Sequence, residues 1–135
     1  MAASNYDFSI EQGTSFLLSL IYKNAEGIPV DITDWCARII MTTNKGTILT
    51  FTTDNVNLAE YNFVIDGPLG LITWMLPATT TESFTFSLAK YDFELQTPDE
   101  IYPSGGKNIS RILYGTIDII ERHSETTTTL SCTNG

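Results

Sequence analysis

The sequence predicts an all-β protein, an antiparallel sandwich of about seven to nine short strands, and three observations carry that prediction. Residues 90–95 alternate strictly, with Tyr91, Phe93 and Leu95 on one face and Asp92 and Glu94 on the other, the period of a strand buried on one side. Short apolar stretches recur along the chain, divided by turns rich in Gly, Pro and Asn. No stretch carries a long helical periodicity, so strands must supply both layers of a core. A chain of 135 residues with 42% hydrophobic residues is one domain's worth. The sandwich is expected over residues 1–122 and a polar, Thr-rich tail over 123–135.

Taken in order, Tyr6, Phe8 and Ile10 alternate with Asp7 and Ser9, giving a short first strand that ends at Glu11, Gln12 and Gly13. Residues 14–22 follow as a longer strand. Phe16, Leu18, Leu20 and Tyr22 fall on one face and Ser15, Leu17, Ser19 and Ile21 on the other, so both faces are partly apolar and a central or covered position is expected. Gly27 closes a turn, and Pro29 places the extended segment after it at an edge, because proline has no ladder N–H. Trp35 is expected to plug one end of the sandwich. Ala37, Ile39 and Met41 then face the core with Arg38 outward, and Asn44, Lys45 and Gly46 turn the chain into an antiparallel return over 47–52. Residues 53–61 lose the pattern and read as a loop. Gly67, Pro68, Leu69 and Gly70 join the next two strands as a hairpin.

Residues 77–83 can form a single helical turn that lifts the chain from one sheet to the other, as the E–F corner does in immunoglobulin-type sandwiches. Tyr91 is then the candidate corner tyrosine, its ring in the core and its hydroxyl returned to upstream backbone, and Phe93 fills the position where antibody domains place a disulfide cysteine. The fold class is accordingly an immunoglobulin-like antiparallel β-sandwich. Residues 97–108, with Pro98, Pro103, Gly105 and Gly106, read as a long mobile connection. The last strand spans 109–120, with Leu113, Ile117 and Ile119 inward and Gly115 marking a bulge or a place where a ring lies over the backbone.

Composition restricts the function classes. Lys+Arg number 7 against Asp+Glu 16, and a net charge of −9 opposes binding to nucleic-acid phosphates. No apolar run approaches the roughly 20 residues that span a bilayer, and the N-terminal residues lack the basic and apolar segments of a secretory signal, so a cytosolic origin is expected. Cys36 falls in a strand and Cys132 in the tail, and both are expected as free thiols.

The residues that carry chemistry elsewhere have structural readings here. His123 is the single histidine and belongs to no nucleophile motif; no phosphate loop, nucleophile elbow or zinc helix occurs. Neither catalysis nor a cofactor is expected. Asp92 and Glu94 share one strand face, the pairing glycoside hydrolysis would need, but they read as a solvated face. Asp31, Asp34 and Asp54 match no calcium loop. Trp35 and Trp74 are more simply core residues than sugar platforms, although a carbohydrate-binding or adhesion module built on them and on loop carboxylates is the alternative function. The candidate partner contacts are Pro98, Tyr102, Pro103 and Lys107 in the connection and Thr127, Thr128 and Leu130 in the tail.

The order of several motifs resembles that of small immunoglobulin-like virion proteins of tailed bacteriophages, including the N-terminal domain of baseplate upper proteins. These are Ile10-Glu11-Gln12-Gly13-Thr14, Gly27-Ile28-Pro29-Val30-Asp31-Ile32-Thr33 before Trp35, Asp66-Gly67 with Gly70-Leu71-Ile72-Thr73, Leu76-Pro77-Ala78-Thr79, Tyr91-Asp92-Phe93-Glu94-Leu95, and Leu113-Tyr114-Gly115-Thr116-Ile117. The resemblance implies a non-enzymatic virion subunit, assembled in the host cytoplasm and present as a homo-oligomer or in many copies, whose edges and loops dock onto other virion proteins. With no helical or receptor-binding region after the sandwich, a free-standing adaptor, decoration or tail-associated role is expected.

Overall fold

Along the described residues, 3–53, 62–100 and 106–123 of a computed structural model, the chain forms β1 (Ser4–Asn5), β2 (Phe8–Glu11), β3 (Phe16–Ile21), β4 (Cys36–Thr43), β5 (Ile48–Thr52), β6 (Phe63–Asp66), β7 (Leu71–Leu76), α1 (Ala78–Glu82), β8 (Leu88–Glu100) and β9 (Lys107–Ile120). They build two sheets. One has the order β1-β9-β8-β4-β5, with β2 also on β9, and the other the order β3-β7-β6. The strand with the clearest alternation, β8, lies between β4 and β9, antiparallel to both. Ala89, Tyr91, Phe93 and Leu95 are buried while Asp92 and Glu94 stay partly open to solvent, as its period requires.

The layers meet through aromatic rings. Trp74 of β7 is fully buried and takes edge contacts from Phe16 and Phe51, both at 5.5 Å between centroids, and from Phe8 at 6.3 Å, while Phe63 stacks on it at 6.4 Å. Phe63 in turn meets Phe93 edge-on at 5.8 Å. The contacts of Phe8 and Phe51 with Trp74, and of Phe93 with Phe63, bridge the sheets, and each such ring contributes about 1.5–3 kcal/mol through burial. Turn chemistry follows the sequence: Gly46 turns β4 into β5 at φ 81°, with the Thr43 hydroxyl accepting from the amide of Thr47. At Gly67 an added Cβ would lie 2.6 Å from the Thr33 Cα, so only glycine lets the β6–β7 hairpin pack against 30–33.

The corner forms as a helical turn, α1, which carries the chain from β7 in one sheet to β8 in the other. Its Thr81 is fully buried, and its hydroxyl donates to the Thr14 carbonyl at 2.7 Å and accepts from the Gly13 amide at 3.0 Å. Gln12 reaches the same corner, donating to the Phe84 carbonyl at 2.9 Å. Pro29 sits in an extended segment beside β3, in an isolated bridge with Lys23.

Four expectations are corrected. The N-terminal strand is split into β1 and β2, and both run parallel to β9. The strand over 14–22 is not central: β3 ends its sheet, and its second apolar face, with Leu17 and Ile21, is exposed. The connection over 97–108 is strand at both described ends, since β8 continues through Glu100 and β9 begins at Lys107, and residues 101–105 lie outside the described residues. A register irregularity between Gln96 and Glu100 accommodates Pro98, which lacks an N–H. Finally, the bulge between β8 and β9 falls at Phe93 and Glu94, whereas Gly115 pairs in register with Tyr91 and is crowded by backbone and a carboxylate, not by a ring.

Candidate contact surfaces

Three surfaces concentrate the polar and exposed apolar groups. The first is the outward face of the larger sheet, where cross-strand neighbours bring opposite charges together. Arg38 donates to Glu94 at 2.5 Å, and Arg111 donates to Asp92 at 3.1 Å while its guanidinium lies 4.7 Å from the Tyr114 ring centre. Both carboxylates expected to be a solvated face therefore engage arginines. Three of the four side chains are 42% exposed or more and Glu94 keeps 21%, so solvent reaches both pairs and each contributes about 1 kcal/mol at most.

A second cluster fastens the N-terminal strands to β9. The Tyr91 ring is buried beside Phe8, at 5.2 Å in an edge contact, and its hydroxyl donates to the carbonyl of Tyr6. The upstream acceptor lies in the link between β1 and β2 and not in the α1 corner. Tyr6 returns its amide to the Tyr114 carbonyl at 2.9 Å, and the Asp7 carboxylate accepts from the Thr116 amide at 2.9 Å. Gly115 lies directly beneath, where a Cβ would stand 2.5 Å from the Tyr6 oxygen and 2.6 Å from Asp7 Oδ1. Burial, and then the nearby charge of Asp7, holds the Tyr91 hydroxyl protonated well above the usual tyrosine range.

The third surface is the outer face of the smaller sheet. Register places Leu17 beside Met75, Ser19 beside Thr73 with Val64 on the far side of Thr73, and Ile21 beside Leu71 with Asp66 on the far side of Leu71. Leu17 is 62% exposed, Ile21 46% and Val64 47%. Asp66 is the one charge in those rows. A cleft of about 280 Å³ opens alongside the end of β3, lined in part by Leu20, Tyr22, Ile112 and Leu113.

Of the residues singled out by sequence, Tyr91 and Phe93 lie in the core. Pro98 is half-buried in β8, and Lys107 is exposed at the start of β9, opposite Glu100. Tyr102, Pro103, Thr127, Thr128 and Leu130 lie outside the described residues, as do Asp54 and Cys132. Trp74 is inaccessible to a sugar, and Trp35 is half-buried 6.0 Å from the Tyr22 ring. Cys36 is a free thiol, half-buried. The Asp31 carboxylate is occupied by the Thr33 hydroxyl at 2.5 Å and the Thr33 amide at 2.9 Å, hydrogen bonds that lower its pKa. Among the described residues no group of three or more His, Cys, Asp or Glu is placed to hold a metal ion. Sequence reasoning missed the outer face of β3 because Leu17 and Ile21 pointed as readily to a covered strand.

No protein-family profile and no curated protein sequence matches the chain.

Proposed function

We propose that this chain is a non-enzymatic structural subunit of a tailed-phage virion, an immunoglobulin-like sandwich that joins its neighbours through sheet edges and exposed strand faces. The observation that carries the reading is the outer face of the smaller sheet, where Leu17, Ile21 and Val64 stand in solvent, with Met75 beside Leu17, Leu71 beside Ile21, and the hydrogen-bonded Ser19 and Thr73 in the row between. Large apolar side chains grouped on one exposed sheet face point to an interaction site more than singly scattered ones do. The strand order supports the immunoglobulin-like assignment: an N-terminal strand parallel to the last strand, β3-β7-β6 opposite, and a helical corner before the strand of Tyr91. The phage assignment rests on the order of sequence motifs. The two carboxylates on the outward face of β8, Asp92 and Glu94, are committed to arginine pairs, which favours a scaffold over a reactive centre there.

Immunogold electron microscopy of purified particles from the source, with antibody to the folded domain, tests the proposal. Labelling at a defined place on tail, neck, baseplate or capsid is the expected result. Particles that stay unlabelled, and that contain none of the chain after denaturation, overturn it and bring forward an adhesive or glycan-binding module.

A further inference from the structure

The free edge of β3 has the makings of a pairing site for a second copy of the same chain. Tyr22 donates its amide to the Gly70 carbonyl at 2.8 Å and accepts at its own carbonyl from Val30 at 2.9 Å, so its main-chain groups point toward the β7 side. Main-chain direction alternates along a strand paired antiparallel, which turns the N–H and C=O groups of Leu17, Ser19 and Ile21 to the opposite, open side. Among the described residues no strand pairs there. From Phe16 to Tyr22 there is no charged residue and no proline, and natural edge strands that must stay single usually carry one or the other.

We propose that two copies pair antiparallel through β3 about a two-fold axis at Ser19, joining the two three-stranded sheets into one of six strands. In that register Ser19 faces Ser19 of the second copy and Leu17 faces Ile21, all three being positions whose main-chain groups are turned outward. Leu18 then faces Leu20 on the inner side. Paired residues stay on the same face, as antiparallel register demands, and no like charges meet. A second copy fits better than an unrelated strand because the edge is complementary to itself. Each Leu17, the most exposed apolar residue of the strand, covers an Ile21, and the apolar outer faces become continuous across the axis. The net charge of −9 on each chain opposes approach, and the uncharged edge is where that opposition is least. Pairing is accordingly strengthened by salt. This proposal names one edge used by the assembly reading, yet stands without the virion: unlabelled particles would remove that reading and leave the pairing intact.

Sedimentation equilibrium of the full chain over a range of concentration and NaCl provides the first readout. A monomer–dimer equilibrium that shifts toward dimer with salt is expected. Leu17→Lys should weaken it at least tenfold, whereas Ile48→Lys, at an equally exposed position on β5 of the other sheet, should leave it unchanged. Hydrogen exchange supplies a readout that needs no variant: the amides of Leu17, Ser19 and Ile21 should gain protection as concentration rises. A chain that remains monomeric at every concentration and salt level overturns the proposal. So does a dimer that survives Leu17→Lys, or one whose formation leaves those three amides unprotected.

Discussion

At the scale of single residues, Tyr91 joins the hydrophobic interior to the N-terminal strand through one hydroxyl. Its ring is buried with the other inward residues of β8, and its O–H supplies a hydrogen bond to Tyr6 that a phenylalanine cannot make. Tyr91→Phe is therefore expected to cost about 1 kcal/mol in urea unfolding, the net worth of one such bond, with the partly buried Tyr6 carbonyl left to find water. The hydroxyl also fixes an alkaline limit. Its pKa in the folded state is raised, first by burial and then by Asp7, so its contribution is complete below the ordinary tyrosine value and declines as pH rises past about 10. Stability should fall above that pH in the wild type and fall less steeply in Tyr91→Phe. Equal slopes in the two proteins would show that the alkaline loss arises elsewhere. In an absorbance titration at alkaline pH, Tyr91 should ionise only as the protein unfolds.

At the scale of elements, the pairing of β1 and β2 with β9 depends on how closely the chain passes over Gly115. A methyl group there would lie 2.5 Å from the Tyr6 carbonyl, and the two could coexist only if the β1–β2 link moved away from β9. Gly115→Ala should destabilise the protein by about 1–3 kcal/mol, the usual range for overpacking. Hydrogen exchange should rise in residues 5–11 and 113–118 while the β4–β8 ladder keeps its protection; loosening spread evenly over both sheets would refute this local account. Strand identity at β8, β4 and the β6–β7 hairpin was legible in the sequence because alternation and turn residues act locally. Strand partnership was not. Nothing near Tyr6 indicates that it will lie on a strand 109 residues further on, where Asp7 meets Thr116, and a strand with two apolar faces, such as β3, matches both a covered centre and an edge with an unpartnered surface. Pro98 misled for a related reason: it ends most ladders, but here the Thr97 hydroxyl accepts from the Asn108 amide at 3.0 Å and bridges the irregularity. Of the candidate contacts, those on Leu17 and Ile21 needed the pairing scheme of both sheets before their exposure could be seen.

At the scale of the whole molecule, two opposing electrostatic effects fix the response to salt. The outer face of the larger sheet holds two arginine–carboxylate pairs, and screening weakens each of them. Against them stands a chain with 16 acidic and 7 basic residues, whose net charge of −9 repels itself in the compact state. The pairs are exposed and contribute little apiece, whereas the repulsion is summed over the whole surface, so the second effect is the larger. Raising ionic strength from about 0.01 M to about 1 M, which shortens the screening length from roughly 30 Å to roughly 3 Å, should raise the melting temperature by several degrees. The measurement belongs on Leu17→Lys at low concentration, where association through β3 adds nothing and the chain remains strongly acidic. A melting temperature that falls with salt would mean that the charge ladder of β4, β8 and β9 outweighs the net charge. The acidity would then have to be read as locally compensated, and salt-strengthened pairing through β3 would lose its electrostatic basis.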